Sequence, residues 1–209
     1  MNQFTQFSCT DFAQALAAKA PVPGGGGAAA MTGALGVALC SMVGNFTAGK
    51  KKFEAVEEDV QRMLSEGEAL RARLLELVDV DAEAFQPLSK AYAIPREDPS
   101  RPQVIEEAAV TACKAPMEVI ACCGRALHLL EEMLEKGSKL LIPDVGCGAL
   151  LCKAAMESAA LNVFVNTGIL RNRETAAKME QQVEDALKTY LPLADRIAAS
   201  VTAYIRKEG

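Results

Sequence analysis

The chain has 209 residues, a formal net charge of −5, 50% hydrophobic residues, 23% charged residues and no tryptophan. One hydrophobic core suffices for this length, so a single domain spanning 1–209 is expected, and the composition excludes an intrinsically disordered chain. The acidic balance repels phosphate backbones, so nucleic acid is not an expected partner.

Aromatic residues make up only 5% of the chain, while Ala, Leu and Glu recur, which favours an all-α fold over a β fold. Ser8 and Thr10 are N-cap candidates for a first helix running to about Ala20, where Pro21-Val22-Pro23 stops it. No charged residue occurs between Lys19 and Lys50, a stretch that contains Gly24-Gly25-Gly26-Gly27 and then Ala28 to Ala48. Such a run is long enough to cross a bilayer. Its Gly/Ala content, its Thr32, Ser41 and Asn45, and the amphipathic segments that follow instead predict a central helix enclosed by other helices, with no membrane partner. Small residues at Ala30, Gly33, Ala34, Gly36 and Ala38 allow close backbone approach, which offsets about 1 kcal/mol of lost helix propensity per glycine.

Gly49 interrupts the apolar run and Lys50-Lys51-Lys52 follows. Val56, Val60, Met63, Leu64, Leu70, Leu74, Leu77 and Val78 then share one helical face, predicting a long helix from about Phe53 to Tyr92 with a possible break near Gly67. Pro95, Pro99 and Pro102 mark a loop, and helix is expected again from about Gln103 to Leu134, kinked by Pro116. Gly137 to Pro143 reads as another loop, with Asp144 as an N-cap or first-turn carboxylate of a helix that reaches about Asn166. Gly168 breaks that helix, and a last amphipathic one runs from about Arg173 to Arg206 with an irregularity at Pro192. The expected architecture is an all-α, single-domain helical bundle around the Gly/Ala-rich helix.

Seven cysteines form no CxxC pair and are expected to be mostly buried, reduced thiols. His128 is the only histidine, so a His-based metal site is not expected and no protein-bound metal is predicted. The N-terminus lacks the basic region and apolar run of a secretory signal, which predicts a cytoplasmic protein.

Four stretches carry a resemblance: Pro23-Gly24-Gly25-Gly26 leading into the Ala/Gly helix; Asn45-Phe46-Thr47-Ala48-Gly49-Lys50-Lys51-Lys52-Phe53; Asp79-Val80-Asp81-Ala82-Glu83-Ala84-Phe85; and Asp144-Val145-Gly146 continuing to Ala160-Leu161-Asn162-Val163 and Asn166. In these the chain resembles the formiminotetrahydrofolate cyclodeaminase and methenyltetrahydrofolate cyclohydrolase family. It departs from that pattern at Pro143, where Ser is usual before the Asp, and at Ser138-Lys139, where Asn is usual. The resemblance implies a helical homodimer that binds a reduced folate as substrate, with no tightly bound cofactor, and acts on the one-carbon unit bridging two folate nitrogens.

Methenyltetrahydrofolate is an amidinium-like cation, and adding water or losing ammonia passes through a tetrahedral carbon between nitrogens, so a carboxylate can stabilise the cation and move a proton. Asp144 is the leading catalytic candidate, with Lys50 beside it in that role, and a simple helix cap is the competing reading of Asp144. Asn162 and Asn166 lie one helical turn apart and can address one ligand, or else bond between helices. Asp144 and Asn162 are separated by about 27 Å along a straight helix, so they serve one site only if a dimer axis brings them together from two chains. Lys50, Lys51 and Lys52 follow Asn45, itself a substrate-binding candidate in the same motif, and form a positive cluster suited to a glutamate tail, or a solvated helix end. The amides at Gly24 and Gly25 can receive a carboxylate, although tight turning explains them as well. Asp81 is the one member of its acidic cluster assigned to substrate binding. Room for a separate formiminotransferase domain is lacking, which puts methenyltetrahydrofolate cyclohydrolase ahead of formiminotetrahydrofolate cyclodeaminase. A non-catalytic helical interaction module is the alternative from another class.

Overall fold

The computed structural model describes residues 3–207. Its helices are α1 (Cys9–Leu16), α2 (Gly25–Thr47), α3 (Glu57–Tyr92), α4 (Arg101–Ala112), α5 (Lys114–Lys136), α6 (Ile142–Thr167) and α7 (Arg173–Arg206), with short 3-10 turns at Phe4–Gln6, Lys51–Val56 and Lys139–Leu141. No strand occurs among the described residues.

The charge-free segment forms the axis of the bundle: α2 packs against α3, α5 and α6, while α7 covers α5 and α6, and α4 folds back mainly on α3. Glycine decides how near α6 comes. A Cβ at Gly36 would lie 2.9 Å from the carbonyl oxygen of Gly148, and a Cβ at Gly148 would lie 3.0 Å from that of Gly36. The two backbones therefore touch where neither residue carries a side chain. Gly25 neighbours Asn162 and Gly36 neighbours Cys152, so α2 and α6 run antiparallel. Val37, Val43, Leu74, Leu77, Leu127, Leu130 and Met156 fill the core between these helices, each contributing about 1.5–3 kcal/mol by leaving water.

The segments Gly25–Thr47 and Lys139–Thr167 are, by length and composition, apolar enough to cross a membrane, and both are partly buried in the protein. Five cysteines, at positions 40, 113, 122, 123 and 152, are buried, and Cys9 and Cys147 are exposed. Burial pushes the Cys40 thiol up to about 12 and those of Cys113 and Cys122 to about 11, so these behave as apolar side chains.

Several boundaries differ from the sequence reading. The first helix ends at Leu16 rather than Ala20, and its cap is Ser8, whose hydroxyl accepts from the Asp11 amide at 3.1 Å. Helix α3 passes through Gly67 unbroken, because that glycine is buried against Ser41 of α2: a Cβ there would meet Ser41 Oγ at 3.0 Å. The helix expected over 103–134 is two helices parted at Cys113, with Pro116 in the first turn of α5, where proline is tolerated. The loop expected over 137–143 is shorter. Ser138 donates its amide to Thr47 Oγ1 at 2.9 Å, a 3-10 turn follows, and α6 starts at Ile142 with Pro143 and Asp144 in its first turn. Helix α7 continues through Pro192.

Candidate active site

A cavity of about 170 Å³ opens at the N-terminal end of α2, lined by Gly24, Gly25, Gly26, Asp81, Asn162 and Asn166 together with Pro21, Val22, Phe85, Ala112 and Val165. Three elements supply its polar groups: the glycine turn before α2, the middle of α3 and the last turns of α6.

Asp81 projects from α3 onto the first turn of α2, where the Gly27 amide donates to its carboxylate. Gly24 is the N-cap of α2 and has no side chain to cap with, so Asp81 caps that helix end from outside. Space for this exists only because residue 26 is glycine: a Cβ there would lie 2.1 Å from Asp81 Oδ1. Burial raises the Asp81 carboxyl from 3.8 to about 6, against the lowering effect of the Gly27 hydrogen bond. A carboxyl of this kind changes protonation near neutral pH, as a proton-transfer group must.

Asn162 and Asn166 share one face of α6, as their spacing predicts. Asn162 donates Nδ2 to the Ser158 carbonyl at 2.8 Å, which fixes its amide beside Gly25 and leaves Oδ1 to accept. Asn166 is only 7% exposed, yet among the described residues no protein group hydrogen-bonds its side-chain amide, which faces the cavity. Among the described residues no fully buried side-chain nitrogen or oxygen lacks a partner, so this amide reaches the solvent of the cavity and is available to bond a ligand there. Phe85 and Val165 add apolar walls on either side.

The remaining candidates lie at the opposite end of the same two helices. Asn45 is about 30 Å from Gly25 along α2, and Asp144 about 27 Å from Asn162 along α6, and neither lines the cavity. Asn45 is exposed and Asp144 half-buried. Lys50 and Lys51 border a shallow depression of about 540 Å³ with Gly49, Glu54 and Glu57. Lys50 Nζ stands 5.6 Å from the centre of the Phe46 ring and Lys52 Nζ stands 4.6 Å from that of Phe53, so apolar rings support two of the three stems. Within one chain, then, Gly24, Gly25, Asp81, Asn162 and Asn166 converge, whereas Asn45, Lys50, Lys51, Lys52 and Asp144 do not join them.

Between the two ends runs an exposed apolar face. Leu35 (53% exposed) and Phe46 (52%) on α2 continue across to Leu150 (51%), Leu161 (70%) and Val165 (66%) on α6. Val165 belongs both to this face and to the cavity wall.

The comparisons with known proteins bear on this geometry. Residues 8–185 match the Formiminotransferase-cyclodeaminase family. The chain belongs to this family. It is 39% identical over 198 residues to the methenyltetrahydrofolate cyclohydrolase of Methylorubrum extorquens, covering 93% of this chain and 95% of that protein. It is 27% identical over 205 residues to the mouse formimidoyltransferase-cyclodeaminase, of which it spans 38%. Among solved structures, the formiminotetrahydrofolate cyclodeaminase of Thermotoga maritima superimposes with a TM-score of 0.83 at 28% identity, over 94% of this chain and 98% of that one. The sequence resemblance to this family and the all-α fold are thereby established, and so is membership of a group of folate-acting enzymes.

The sequence reading missed Pro21, Val22, Gly26, Phe85, Ala112 and Val165 as cavity residues. Phe85 follows Asp81 by four positions and Val165 follows Asn162 by three, so helical spacing from the chosen residues reaches both. Ala112 carries no such signal, because only the fold brings the end of α4 to α3.

Proposed function

We propose that this protein hydrolyses methenyltetrahydrofolate to formyltetrahydrofolate. The observation that carries the reading is the pairing of Asp81, a half-buried carboxyl raised to about 6, with the partnerless Asn166 amide in one cavity. The extended identity to a cyclohydrolase supports the choice of substrate.

In this reading the pterin edge bonds to Asn162 and Asn166, and the amidinium carbon stands over Asp81. The ionised Asp81 attracts the cation and accepts a proton as water adds to the carbon. The neutral tetrahedral adduct then collapses: the hydroxyl oxygen forms the carbonyl and releases its proton to solvent, one carbon–nitrogen bond breaks, and Asp81 returns its proton to the departing nitrogen. One water is consumed and one proton is released overall.

A cavity of about 170 Å³ is small for a whole folate, since sites enclosing such ligands hold about 300–1,000 Å³. It fits the reacting end, so the rest of the ligand extends over the apolar face. A second copy docked there through a two-fold axis, antiparallel to the first, covers Leu161 and Val165 and brings its own Asn45, Asp144 and Lys50 to Lys52 towards the Asp81 cavity. The homodimer thus unites the two ends that one chain keeps apart, with the lysines reading the glutamate tail and Asp144 holding charge near the reacting carbon. The same face accounts for apolar surface on α2 and α6 without a membrane. The acidic chain and its buried thiols suit the cytoplasm.

The second reading is release of ammonia from formiminotetrahydrofolate, which the fold shared with the Thermotoga cyclodeaminase favours. Loss of methenyltetrahydrofolate absorbance with purified protein, measured beside ammonia release from formiminotetrahydrofolate, decides between them. Hydrolysis without ammonia release is the expected result. Ammonia release alone selects the second reading, and neither activity refutes both.

A further inference from the structure

The stretch from Gln3 to Val22 runs up to the cavity without a single buried residue; Pro23 is the first buried position. Among the described residues, its hydrogen bonds to the rest of the chain end on one carboxylate. The Phe4 amide donates to Asp79 Oδ1 at 2.7 Å and Thr5 Oγ1 donates to Asp79 Oδ2 at 3.0 Å. Phe4 and Phe12 add partly buried contacts with the core. The other end of the stretch delivers Pro21 and Val22 to the cavity wall. Asp79 itself does not line the cavity. Two residues before Asp81 on α3, it points about 200° away around the helix, so one turn of α3 holds both the strap and the candidate acid.

We propose that Asp79 is a positioning residue: it latches the N-terminal strap to α3 so that Pro21 and Val22 stand as a wall of the folate cavity. This rests on the folate reading above. A segment with no buried residue has little stability of its own, and both oxygens of one carboxylate fix it in place. Without the latch the wall is formed only part of the time, and substrate affinity falls by the fraction of time it is absent. The chemistry is untouched, because Asp81, Asn162 and Asn166 are held by α2, α3 and α6 rather than by the strap.

The test uses the full chain with Asp79→Ala, Asp79→Asn and Thr5→Val. Trypsin cleavage after the exposed Lys19 reads the strap directly, and steady-state kinetics with methenyltetrahydrofolate read its effect. Asp79→Ala is expected to be cut about tenfold faster and to raise KM about tenfold while kcat stays within about twofold. Asp79→Asn keeps an oxygen that accepts from the Phe4 amide and is expected to restore most of both properties. Thr5→Val removes one of the two hydrogen bonds without altering α3, and gives an intermediate result even if Asp79→Ala does not fold. An active wild type whose Asp79→Ala or Thr5→Val variant keeps its KM overturns the latch alone, as does a fall in kcat at unchanged KM or an unchanged cleavage rate. A wild type that neither binds nor turns over a folate overturns the folate reading, and the latch with it.

Discussion

Replacing Asp81 by Asn separates the cost of this carboxylate to folding from its use in catalysis. In the folded protein burial raises its pKa from 3.8 to about 6. Ionising it therefore costs more folded than unfolded, so its contribution to stability is most favourable below pH ~4 and is lost as pH rises through about 6. A difference of roughly two pKa units corresponds to about 3 kcal/mol. The carboxylate borders an open cavity, and solvent screening there reduces the expected gain for Asn to about 1–2 kcal/mol. For a chain of this size that is a rise in Tm of about 3–6 °C at pH 8, shrinking towards zero as pH falls below the unfolded value of 3.8, where Asp81 becomes protonated in both states. Thermal unfolding of both proteins across pH 3.5–8 measures it. The Asn oxygen still accepts from the Gly27 amide, so the cap on α2 survives the change. Activity moves the opposite way: the variant loses about 10²-fold or more in kcat, and the acid limb of wild-type kcat/KM near pH 6 disappears. A Tm difference that is the same at pH 4 and pH 8, or a fully active Asp81→Asn enzyme, refutes the assignment.

Gly26→Ala places a methyl group where Asp81 now stands, 2.1 Å from Oδ1, so turnover is expected to fall to background while circular dichroism remains helical, because the displaced carboxyl swings into the cavity. Leu161→Glu puts a charge on the most exposed apolar residue of the α6 face; sedimentation should show a monomer, and turnover should fall with dimer content, whereas a fully active monomer removes the need for a second chain. Asp144→Asn should fold normally and lose about 10²-fold in turnover, and normal turnover reduces this residue to a helix end. Single replacements of Lys50, Lys51 or Lys52 by Met should weaken binding of folates with long glutamate tails, most clearly at low ionic strength; wild-type kinetics in all three variants with every tail length assign the tail to other residues.

The all-α class, the enclosed central helix and the long amphipathic helices were legible in the sequence because each is a local property. The charge-free run from Ala20 to Gly49, the 3.6-residue spacing of α3 and α7, and the proline cluster before α4 state their outcome within a few turns of chain. The family motifs likewise pointed to the glycine turn, Asp81, Asn162 and Asn166 before any geometry was known. What the sequence left undecided depends on partners distant along the chain. Gly67 looked like a break, but helix α3 passes it because α2 needs that space for Ser41. The kink expected at Pro116 became a division at Cys113. Asp144 ranked above Asp81 because it stands in the clearer helix-start motif. Only the packing of α3 against the first turn of α2 buries Asp81 and raises its pKa, and only the unbroken run of α2 and α6 keeps Asp144 and the lysines at the far end. Periodicity and composition fix which face a helix buries, since they act through neighbours within a turn or two. The environment of a single carboxylate is set by whatever the fold brings within a few ångströms of it, and that is a property of the tertiary structure.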